Sequence, residues 1–351
     1  MNDSQKLLEK IKSQNIQWED FTEFLDLNNE ELEPFFNHAH RITSNNFKNV
    51  LKIYLPNKRF PAISVTGTQC ALECEHCDKK YLNAMIPISN SADLEKFLLE
   101  LSKKKGTGIL LSGGCESNGS VPLLNFLDTI KKVKAKTNLI INAHTGFLNE
   151  ETGKKLAEAK VDIVSFDVNM DDEVIRNIYH LDKDLIAYKR TLDLLKKNNL
   201  NVVPHICVGL YYGKLHSELE SIKFIKESDI NPSLIVIIAL IPPKGSNLKF
   251  ETPKPIDIAK VIAAIRFVFP KTEISLGCMR PRGPVKIEIE KYAIKAGITR
   301  IEIPSKETLK WVKIFDPRIR FKFFSTCCAI PAKYEKFSKS SYLEYKRYLN
   351  F

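Results

Sequence analysis

The chain has 351 residues, of which 44% are hydrophobic and 27% are charged, as in ordinary folded proteins. Its longest apolar run, residues 234–243, is too short to span a bilayer, and its first residues lack the apolar core of a signal peptide. These features argue against a membrane-spanning protein and a small secreted disulfide scaffold, so we expect a cytoplasmic protein.

The net charge of +11 makes the protein attractive to anionic partners. The lysines occur in short, scattered runs, and the sequence has no arginine-rich tract interleaved with aromatic residues. Nucleic-acid binding is therefore not favoured, and the charge leaves an anionic membrane surface or an acidic protein open as the partner.

Residues 1–58 carry apolar side chains at helical spacing. This pattern predicts a helical N-terminal extension that acts as scaffold. The positions are Leu7, Leu8, Ile11, Trp18, Phe21, Phe24 and Leu25.

From residue 59 onward, short β-rich runs alternate with amphipathic stretches. This alternation predicts an α/β fold with a parallel sheet, and eight units predict a TIM-type (β/α)8 barrel over residues 59–314. An incomplete, open barrel of six strands is the alternative. In either form the active site is expected at the carboxyl ends of the strands. The predicted strands are residues 62–66, 108–112, 139–143, 162–167, 202–209, 234–240, 273–277 and 300–303, and the predicted helices include residues 93–104, 122–134, 185–198 and 256–267.

Residues 315–351 are rich in aromatic and basic side chains and contain the adjacent pair Cys327 and Cys328. We interpret this segment as a C-terminal extension that folds over the barrel mouth.

Three closely spaced cysteines, Cys70, Cys74 and Cys77, follow the first predicted strand in the pattern C-x3-C-x2-C. Three thiolates on one short loop suit an iron–sulfur cluster, and a missing fourth thiolate leaves one iron open to a small molecule. A zinc site is the alternative, but it needs a second cysteine or histidine pair, and none follows nearby. The position of the loop after a strand also favours the iron–sulfur interpretation, because barrel active sites lie there.

The remaining cysteines allow two interpretations. Cys207, inside an apolar predicted strand, reads as a small buried hydrophobe. Cys278 follows the seventh predicted strand, and a tail folded across the barrel mouth would bring Cys327 and Cys328 near it. These three thiols can then hold a second 4Fe–4S cluster, with Cys115 as a fourth ligand. Because the side chains of adjacent cysteines diverge, one member of the pair then lies outside the ligand set.

The cysteine motif resembles that of the radical S-adenosylmethionine (SAM) superfamily. The resemblance implies a 4Fe–4S cluster on Cys70, Cys74 and Cys77 whose open iron chelates the amino and carboxylate groups of SAM. It also implies reductive cleavage of SAM to methionine and a 5′-deoxyadenosyl radical, which abstracts hydrogen from an unactivated carbon. A ferredoxin- or flavodoxin-type protein is the expected electron donor.

The segment after the second predicted strand is similar to a Gly-Gly-Glu segment with which the family binds the amino group of SAM. Gly113 and Gly114 match this segment, whereas Cys115 stands at the acidic position and Glu116 comes one residue later. His76 stands where the family has an aromatic residue near the adenine. It either packs there or forms a hydrogen bond with a cluster sulfur.

Other polar residues end the third and fourth predicted strands. Because strand ends face the top of the barrel, we expect Asn142 to bind the cofactor and Asp167 to bind the ribose hydroxyls of SAM, with His144 and Asn169 beside them. Arg190 resembles the arginine with which biotin-synthase-like members hold the SAM carboxylate. For each residue, an ordinary polar role at a turn or helix end is the alternative.

Within the superfamily, residues 60–330 look most like the biotin-synthase-like group. Residues 65–68 and the Cys-Cys tail are similar to archaeal-type two-protein lipoyl synthases. That similarity implies that a second cluster is consumed as the sulfur donor for an octanoyl chain on an acidic lipoyl carrier protein or domain. It also implies a second radical SAM protein as partner.

Three other functions stay open at this point. A radical SAM mutase or methylase acting on a small molecule would need no sacrificial cluster. A radical SAM enzyme that modifies RNA would need a continuous basic face near the barrel mouth. An iron–sulfur scaffold or electron-transfer protein would need a fully ligated cluster and would not cleave SAM.

Overall fold

Strands and helices alternate along most of the chain in the computed structural model, which describes residues 2–243 and 249–349. All eight strands predicted between residues 62 and 303 are present. The strands are β1 (Val50–Tyr54), β2 (Ala62–Ser64), β3 (Ile86–Pro87), β4 (Gly108–Ser112), β5 (Ile140–His144), β6 (Ile163–Asp167), β7 (Val202–Val208), β8 (Leu234–Ala239), β9 (Glu273–Leu276), β10 (Arg300–Glu302), β11 (Arg320–Phe324) and β12 (Lys339–Ser340).

The helices lie between these strands, and the four predicted ones are confirmed to within about two residues at each end. A π-helical turn, Val174–Ile178, precedes the seventh helix, and two short 3₁₀ turns occur at Leu82–Ala84 and Ala332–Phe337. The α-helices are α1 (Asp3–Lys12), α2 (Trp18–Asp26), α3 (Glu33–Phe47), α4 (Ser91–Lys103), α5 (Leu124–Lys136), α6 (Glu150–Glu158), α7 (Leu185–Lys197), α8 (Glu218–Glu227), α9 (Pro255–Val268), α10 (Pro284–Lys295), α11 (Lys306–Phe315) and α12 (Tyr342–Leu349).

The strands form one curled sheet in the order β12-β11-β1-β10-β9-β8-β7-β6-β5-β4-β2-β3. All neighbouring strands are parallel except the antiparallel pair β11 and β12. The predicted TIM-type fold is therefore confirmed in a partial form, a half-barrel whose sheet runs from β12 at one edge to β3 at the other. The carboxyl ends of its parallel strands meet at one edge.

Alternation along each strand decides which side chains face the interior. Ile140, Ile163 and Val203 belong to an apolar group inside the half-barrel, whereas Ile141 and Val164 pack outward in the main core with the helices. Side chains two and four residues after an interior position therefore also point inward. This places the polar ends of β5, β6 and β7 in the interior.

The N-terminal segment is only partly helical, contrary to the prediction for residues 1–58. Helices α1 to α3 are present, but Val50–Tyr54 forms a strand that pairs with β10 and β11. Its β-branched and aromatic residues suit a strand, and its partners lie about 250 residues later in the chain. Local helical spacing could not reveal that pairing.

We expected the C-terminal extension to cover the barrel mouth, but residues Ala329 and Ile330 lie at the opposite end of the strands. Ala329 and Ile330 pack inside the half-barrel against Ile140, Ile163 and Leu234, which are the first residues of their strands. The segment thus fills the interior at the amino ends of the strands. Its apolar side chains bury surface there that no closing strand covers.

A network of buried charges fixes this segment to the sheet. Arg300 donates hydrogen bonds to the carboxylate of Glu273 and to the carbonyl of Ile330, and its guanidinium lies 2.9 Å from the carboxylate of Glu335. The ammonium group of Lys52 lies 2.6 Å from Glu273 and 2.8 Å from Glu335. Burial raises the pKa of Glu273, but Arg300 and Lys52 outweigh it, so the pKa is lowered and the carboxylate stays charged.

None of the helices in the described part of the chain combines the length and the apolar character needed to cross a membrane.

Candidate active site

The three motif cysteines lie on the loop that leaves the carboxyl end of β2, and each is partly buried. The N–H of Cys77 donates a hydrogen bond to the carbonyl of Cys74 (3.0 Å), which gathers the second and third cysteines in one turn. Burial, together with the nearby thiols of Cys77 and Cys70, raises the pKa of Cys74 to about 12. The structure therefore brings the three predicted ligands together.

Cys70 has a different environment from Cys74. It accepts hydrogen bonds from the side chain and the backbone N–H of Cys115, the latter at 3.2 Å, and these bonds lower its pKa to about 5 despite partial burial. A thiolate is the form that binds iron. Cys115 therefore lies beside Cys70. Its thiol is engaged there and is not placed as the fourth ligand of the second cluster.

The two glycines allow their strand end to approach the cysteine loop closely. A Cβ atom at Gly114 would lie 2.0 Å from the carbonyl oxygen of Gln69 and 2.6 Å from the Cβ of Cys70. The N–H of Gly114 donates a hydrogen bond to Oγ1 of Thr66 (2.7 Å), and a Cβ atom at Gly113 would come within 3.1 Å of the same oxygen. Only glycine fits at position 114, since any side chain would displace the loop.

A second contact fixes the far side of the loop. The carboxylate of Glu75 lies 2.9 Å from Nε2 of His180, and the N–H of Glu75 donates to the carbonyl of Ile178 (2.8 Å). The thiol of Cys74 donates to the carbonyl of Tyr179 at 3.6 Å. Three gathered thiols, an N–H directed at one sulfur and a glycine-lined approach fit an iron–sulfur cluster.

His76 is enclosed between the loop and the barrel. Its ring centroid lies 5.2 Å from that of Tyr179, and its Nδ1 is buried without a hydrogen-bond partner among the described residues. Burial lowers the pKa of His76 to about 4, so the ring is neutral near pH 7. A flat, neutral ring beside the loop is compatible with the predicted position near the adenine.

Asn142 and Asp167 lie inside the half-barrel, as their strand positions predicted. Oδ1 of Asn142 accepts a hydrogen bond from Ser165 (3.0 Å), and Asp167 lies 3.2 Å from Nε2 of His144. Burial raises the pKa of Asp167, but His144 and more distant histidines lower it to about 2. Nδ2 of Asn169 is buried without a partner among the described residues. These groups can donate to or accept from a ligand in the interior.

Arg190 lies on α7 outside the barrel interior. It lines a cleft of about 870 Å³ together with Arg176, Lys183 and Phe147. His180, which holds Glu75 of the cysteine loop, is also in the lining. Asp182 and Asp184 also line the cleft, so its cationic side chains are partly offset, and Arg190 is one of three that could attract a carboxylate.

The second group of thiols is assembled from distant parts of the chain. Cys278 follows the end of β9, and Cys328 is buried against Tyr54 and Phe324. Burial and the neighbouring Cys328 raise the pKa of Cys278 to about 12. The pKa of Cys328 is raised by a hydrogen bond with the thiol of Cys327 and by burial.

A buried arginine fixes the turn that carries Cys278. Arg280 donates to the carbonyl of Gly277 (2.5 Å), to Glu290 (2.8 Å) and to the carbonyl of Glu302 (2.7 Å). The turn is therefore rigid, and the Cys278 thiol has a defined position.

Sequence reasoning missed two residues of the interior. His205 lies on β7 between Val203 and Cys207, and its burial lowers its pKa to about 4. Burial and the nearby thiols of Cys77, Cys207 and Cys278 raise the pKa of Tyr81, which follows the cysteine loop. The alternation of β7 could have indicated His205, because it shares a face with Val203, but Tyr81 lies on an irregular segment without such a pattern.

Comparison with protein families gives one match that covers half of the chain. Residues 64–242 match the Radical SAM superfamily. The biotin synthase of Bacillus cytotoxicus is 25% identical over 279 residues, covering 76% of this chain and 79% of the relative. The biotin synthase of Buchnera aphidicola subsp. Schizaphis graminum is 26% identical over 226 residues, 62% of this chain and 64% of the relative.

Solved structures agree on the fold. Methylornithine synthase has a TM-score of 0.61 and 19% identity, with 86% of this chain and 87% of that chain covered. HydG, a maturase of the FeFe-hydrogenase, has a TM-score of 0.65 and 17% identity, with 86% of this chain and 68% of that chain covered. At these identities the structures support the architecture alone.

Proposed function

Because this chain belongs to the radical SAM superfamily and its biotin-synthase-like group, we propose that this radical SAM enzyme inserts sulfur into an octanoyl chain held by a lipoyl carrier protein. The observation that carries the proposal is the second thiol group, in which the exposed Cys278 at the end of β9 lies close enough to the buried Cys328 for that thiol to raise its pKa. A mutase or methylase of the same superfamily would need no sacrificial cluster.

The loop cysteines would hold a 4Fe–4S cluster that, when bound with SAM, supplies the electron for cleavage to methionine and a 5′-deoxyadenosyl radical. The N–H of Cys115 would stabilise the charge on the sulfur of Cys70. Gly114 would keep the neighbouring strand end close enough for its backbone to bind SAM. Arg190 in the adjacent cleft would attract the SAM carboxylate.

The second thiol group would hold a second 4Fe–4S cluster through Cys278 and Cys328. Cys327 packs against the apolar interior and would have to turn its side chain away from it to become a ligand. That cluster would supply the sulfide for a C–S bond to the substrate carbon radical and would take up one electron, and the abstracted hydrogen would leave in 5′-deoxyadenosine. Arg280 would keep the thiol of Cys278 in place during this exchange.

The proposed partners follow from charge and chemistry. A net charge of +11 favours association with an acidic lipoyl carrier protein or domain. Two sulfur atoms are needed for a lipoyl group, so a second radical SAM protein is the proposed partner for the other insertion. A ferredoxin- or flavodoxin-type protein would supply the electrons.

Iron and acid-labile sulfide content of anaerobically reconstituted protein tests the proposal. We expect about eight irons per chain in the wild type and about four in both a Cys70/Cys74/Cys77→Ala variant and a Cys278/Cys328→Ala variant. Cys207→Ala is the matched control, because Cys207 on β7 belongs to neither thiol group and packs against an apolar group that includes Val174 and Leu240. It should keep the wild-type count.

A wild-type count of about four irons, with almost none in the Cys70/Cys74/Cys77→Ala variant, would reject the second cluster. The enzyme would then be a single-cluster mutase, methylase or RNA-modifying enzyme. If eight irons are present, incubation with octanoylated carrier protein and SAM should add sulfur to the carrier, as measured by its mass. No mass gain with any carrier, despite SAM cleavage, would reject the octanoyl substrate.

A further inference from the structure

Three side chains from consecutive strands meet inside the half-barrel. They are His144 at the end of β5, Asp167 at the end of β6 and His205 on β7. One nitrogen or oxygen atom from each lies within 4.8 Å of the other two. This group contains no cysteine and belongs to neither of the two thiol groups described above.

The backbone fixes the three positions. Asp167 pairs with His205 in the register of β6 and β7, and His144 pairs with Ser165 in the register of β5 and β6. All three side chains point inward by the alternation that places Ile140 and Val203 inside. Sites built on paired strands hold their geometry better than sites on loops.

The ring of His205 is oriented for coordination. Its Nδ1 lies 3.0 Å from the carbonyl oxygen of Val203, which can only accept, so Nδ1 carries the proton. The lone pair is then on Nε2. A histidine that donates one ring N–H to a backbone carbonyl and offers the other nitrogen is the usual form of a metal ligand.

The ring of His144 has an unused nitrogen in the same space. Its Nε2 is buried and forms no well-directed hydrogen bond, although the carboxylate of Asp167 is 3.2 Å away. The side chain of Asp167 is 56% accessible. Its strand position directs it toward the interior of the half-barrel. A cation between these groups would satisfy the nitrogen and the carboxylate together.

We propose that His144, Asp167 and His205 form a mononuclear site for a divalent first-row transition metal ion. Two imidazole nitrogens and one carboxylate on one side of an ion leave its other coordination positions open, an arrangement used by non-haem ferrous and zinc sites. The open positions face the interior, where an oxygen or sulfur atom of a substrate can bind. Asp167 also lies near His76 of the cysteine loop, so a substrate held there would lie beside the SAM site.

Zinc content of the reconstituted full-length protein tests this site independently of sulfur insertion. The protein is incubated anaerobically with Zn²⁺, passed over a desalting column in buffer with a weak chelator, and analysed for zinc and iron by mass spectrometry. We expect one zinc per chain in the wild type and less than a tenth of that in His144→Ala and His205→Ala. Iron content should stay unchanged, which separates this site from the thiol groups.

His216→Ala is the matched control. His216 also forms a histidine–carboxylate pair, with Nδ1 2.6 Å from Asp171, but it belongs to a different group. It should retain the wild-type zinc content. Asp167→Asn, which preserves the shape of the side chain, should weaken zinc binding at least tenfold even if an alanine variant fails to fold.

Two results would overturn the proposal. One is a wild-type protein without zinc beyond the background of the control buffer. The other is equal zinc content in wild type, His205→Ala and Asp167→Asn, which would place the zinc elsewhere. Zinc K-edge absorption adds a structural readout, because two imidazole ligands should be present in wild type and one should be lost in His205→Ala.

Discussion

The two ends of the half-barrel use polar groups in opposite ways. At the carboxyl end, nitrogen atoms of His76, His144 and Asn169 are buried without hydrogen-bond partners among the described residues, and a cysteine loop stands above them. At the amino end, the charges of Arg300 and Lys52 are compensated by buried carboxylates, and of the Arg300 guanidinium only Nε is buried without a hydrogen-bond partner among the described residues. The first end keeps its polar groups free for ligands, whereas the second uses them to attach the C-terminal segment. We therefore expect changes at the first end to reduce activity and changes at the second to reduce stability.

The largest expected effect is on activity and comes from Cys74→Ala. Removing one of three thiolates should prevent the loop from holding its cluster, so 5′-deoxyadenosine formation from SAM should fall below detection. The measurement is chromatographic quantitation of 5′-deoxyadenosine under reducing, anaerobic conditions. Cys207→Ala should retain cleavage, and retained cleavage in Cys74→Ala would remove the basis for assigning the loop to SAM chemistry.

The largest expected effect on stability comes from Arg300→Ala. The substitution leaves the carboxylates of Glu273 and Glu335 buried without their main partner, so the free energy of unfolding should fall by about 3–5 kcal/mol. Denaturant unfolding followed by circular dichroism measures it. In the control Lys197→Ala, the side chains of the lost ion pair with Glu150 are 64% and 70% exposed, so the loss should be below about 1 kcal/mol. Equal losses would show that the network at the amino end is not what secures the segment.

Gly114→Ala should reduce SAM cleavage by about 10²-fold with little change in the unfolding free energy, because a displacement of the loop near 1 Å misplaces reacting groups. The added Cβ would overlap the carbonyl of Gln69. Gly113→Ala is the matched control, with its nearest neighbour atom at 3.1 Å, and should lose much less activity. Similar activity in the two variants would contradict the close approach.

Thr66→Val should have the smallest effect. The substitution removes a hydroxyl that accepts a hydrogen bond from the N–H of Gly114 and donates one to the carbonyl of Gln69. Losing these bonds should cost about 1 kcal/mol, which corresponds to roughly a fivefold lower kcat/KM for SAM. Thr66→Ser keeps both hydrogen bonds and should behave as wild type. A serine variant as impaired as the valine variant would mean that the methyl group, not the hydroxyl, supports the loop.

The sequence predicted what depends on local spacing. The alternating strands and helices of the barrel and the C-x3-C-x2-C loop were all visible, because each is encoded in a few neighbouring residues. Strand Val50–Tyr54 was missed because its partners lie far along the chain. The inward path of Ala329 and Ile330 was missed because an apolar dipeptide does not specify which surface it covers.

The candidate site shows the same division. The interior placement of Asn142 and Asp167 could be predicted because both residues lie near strand ends. Their contacts with Ser165 and His144, respectively, depend on the register between strands, which the sequence does not reveal. His205 could have been found from its alternation with Val203. The contact between Cys70 and Cys115 joins two loops, and only the folded structure reveals it.

The pairing of the first strand with the last part of the sheet has a consequence for synthesis on the ribosome. Lys52 pairs with Arg300 and Lys322, so the first strand stays without its neighbours until about 250 further residues have been translated. At about 5–20 residues per second, the nascent chain waits for tens of seconds with this edge unpaired. Ile330 is made later still, so the interior of the half-barrel is filled only after strands β1 to β11 have been translated. Iron and sulfur at the proposed second cluster would therefore be inserted only after Cys328 has been translated.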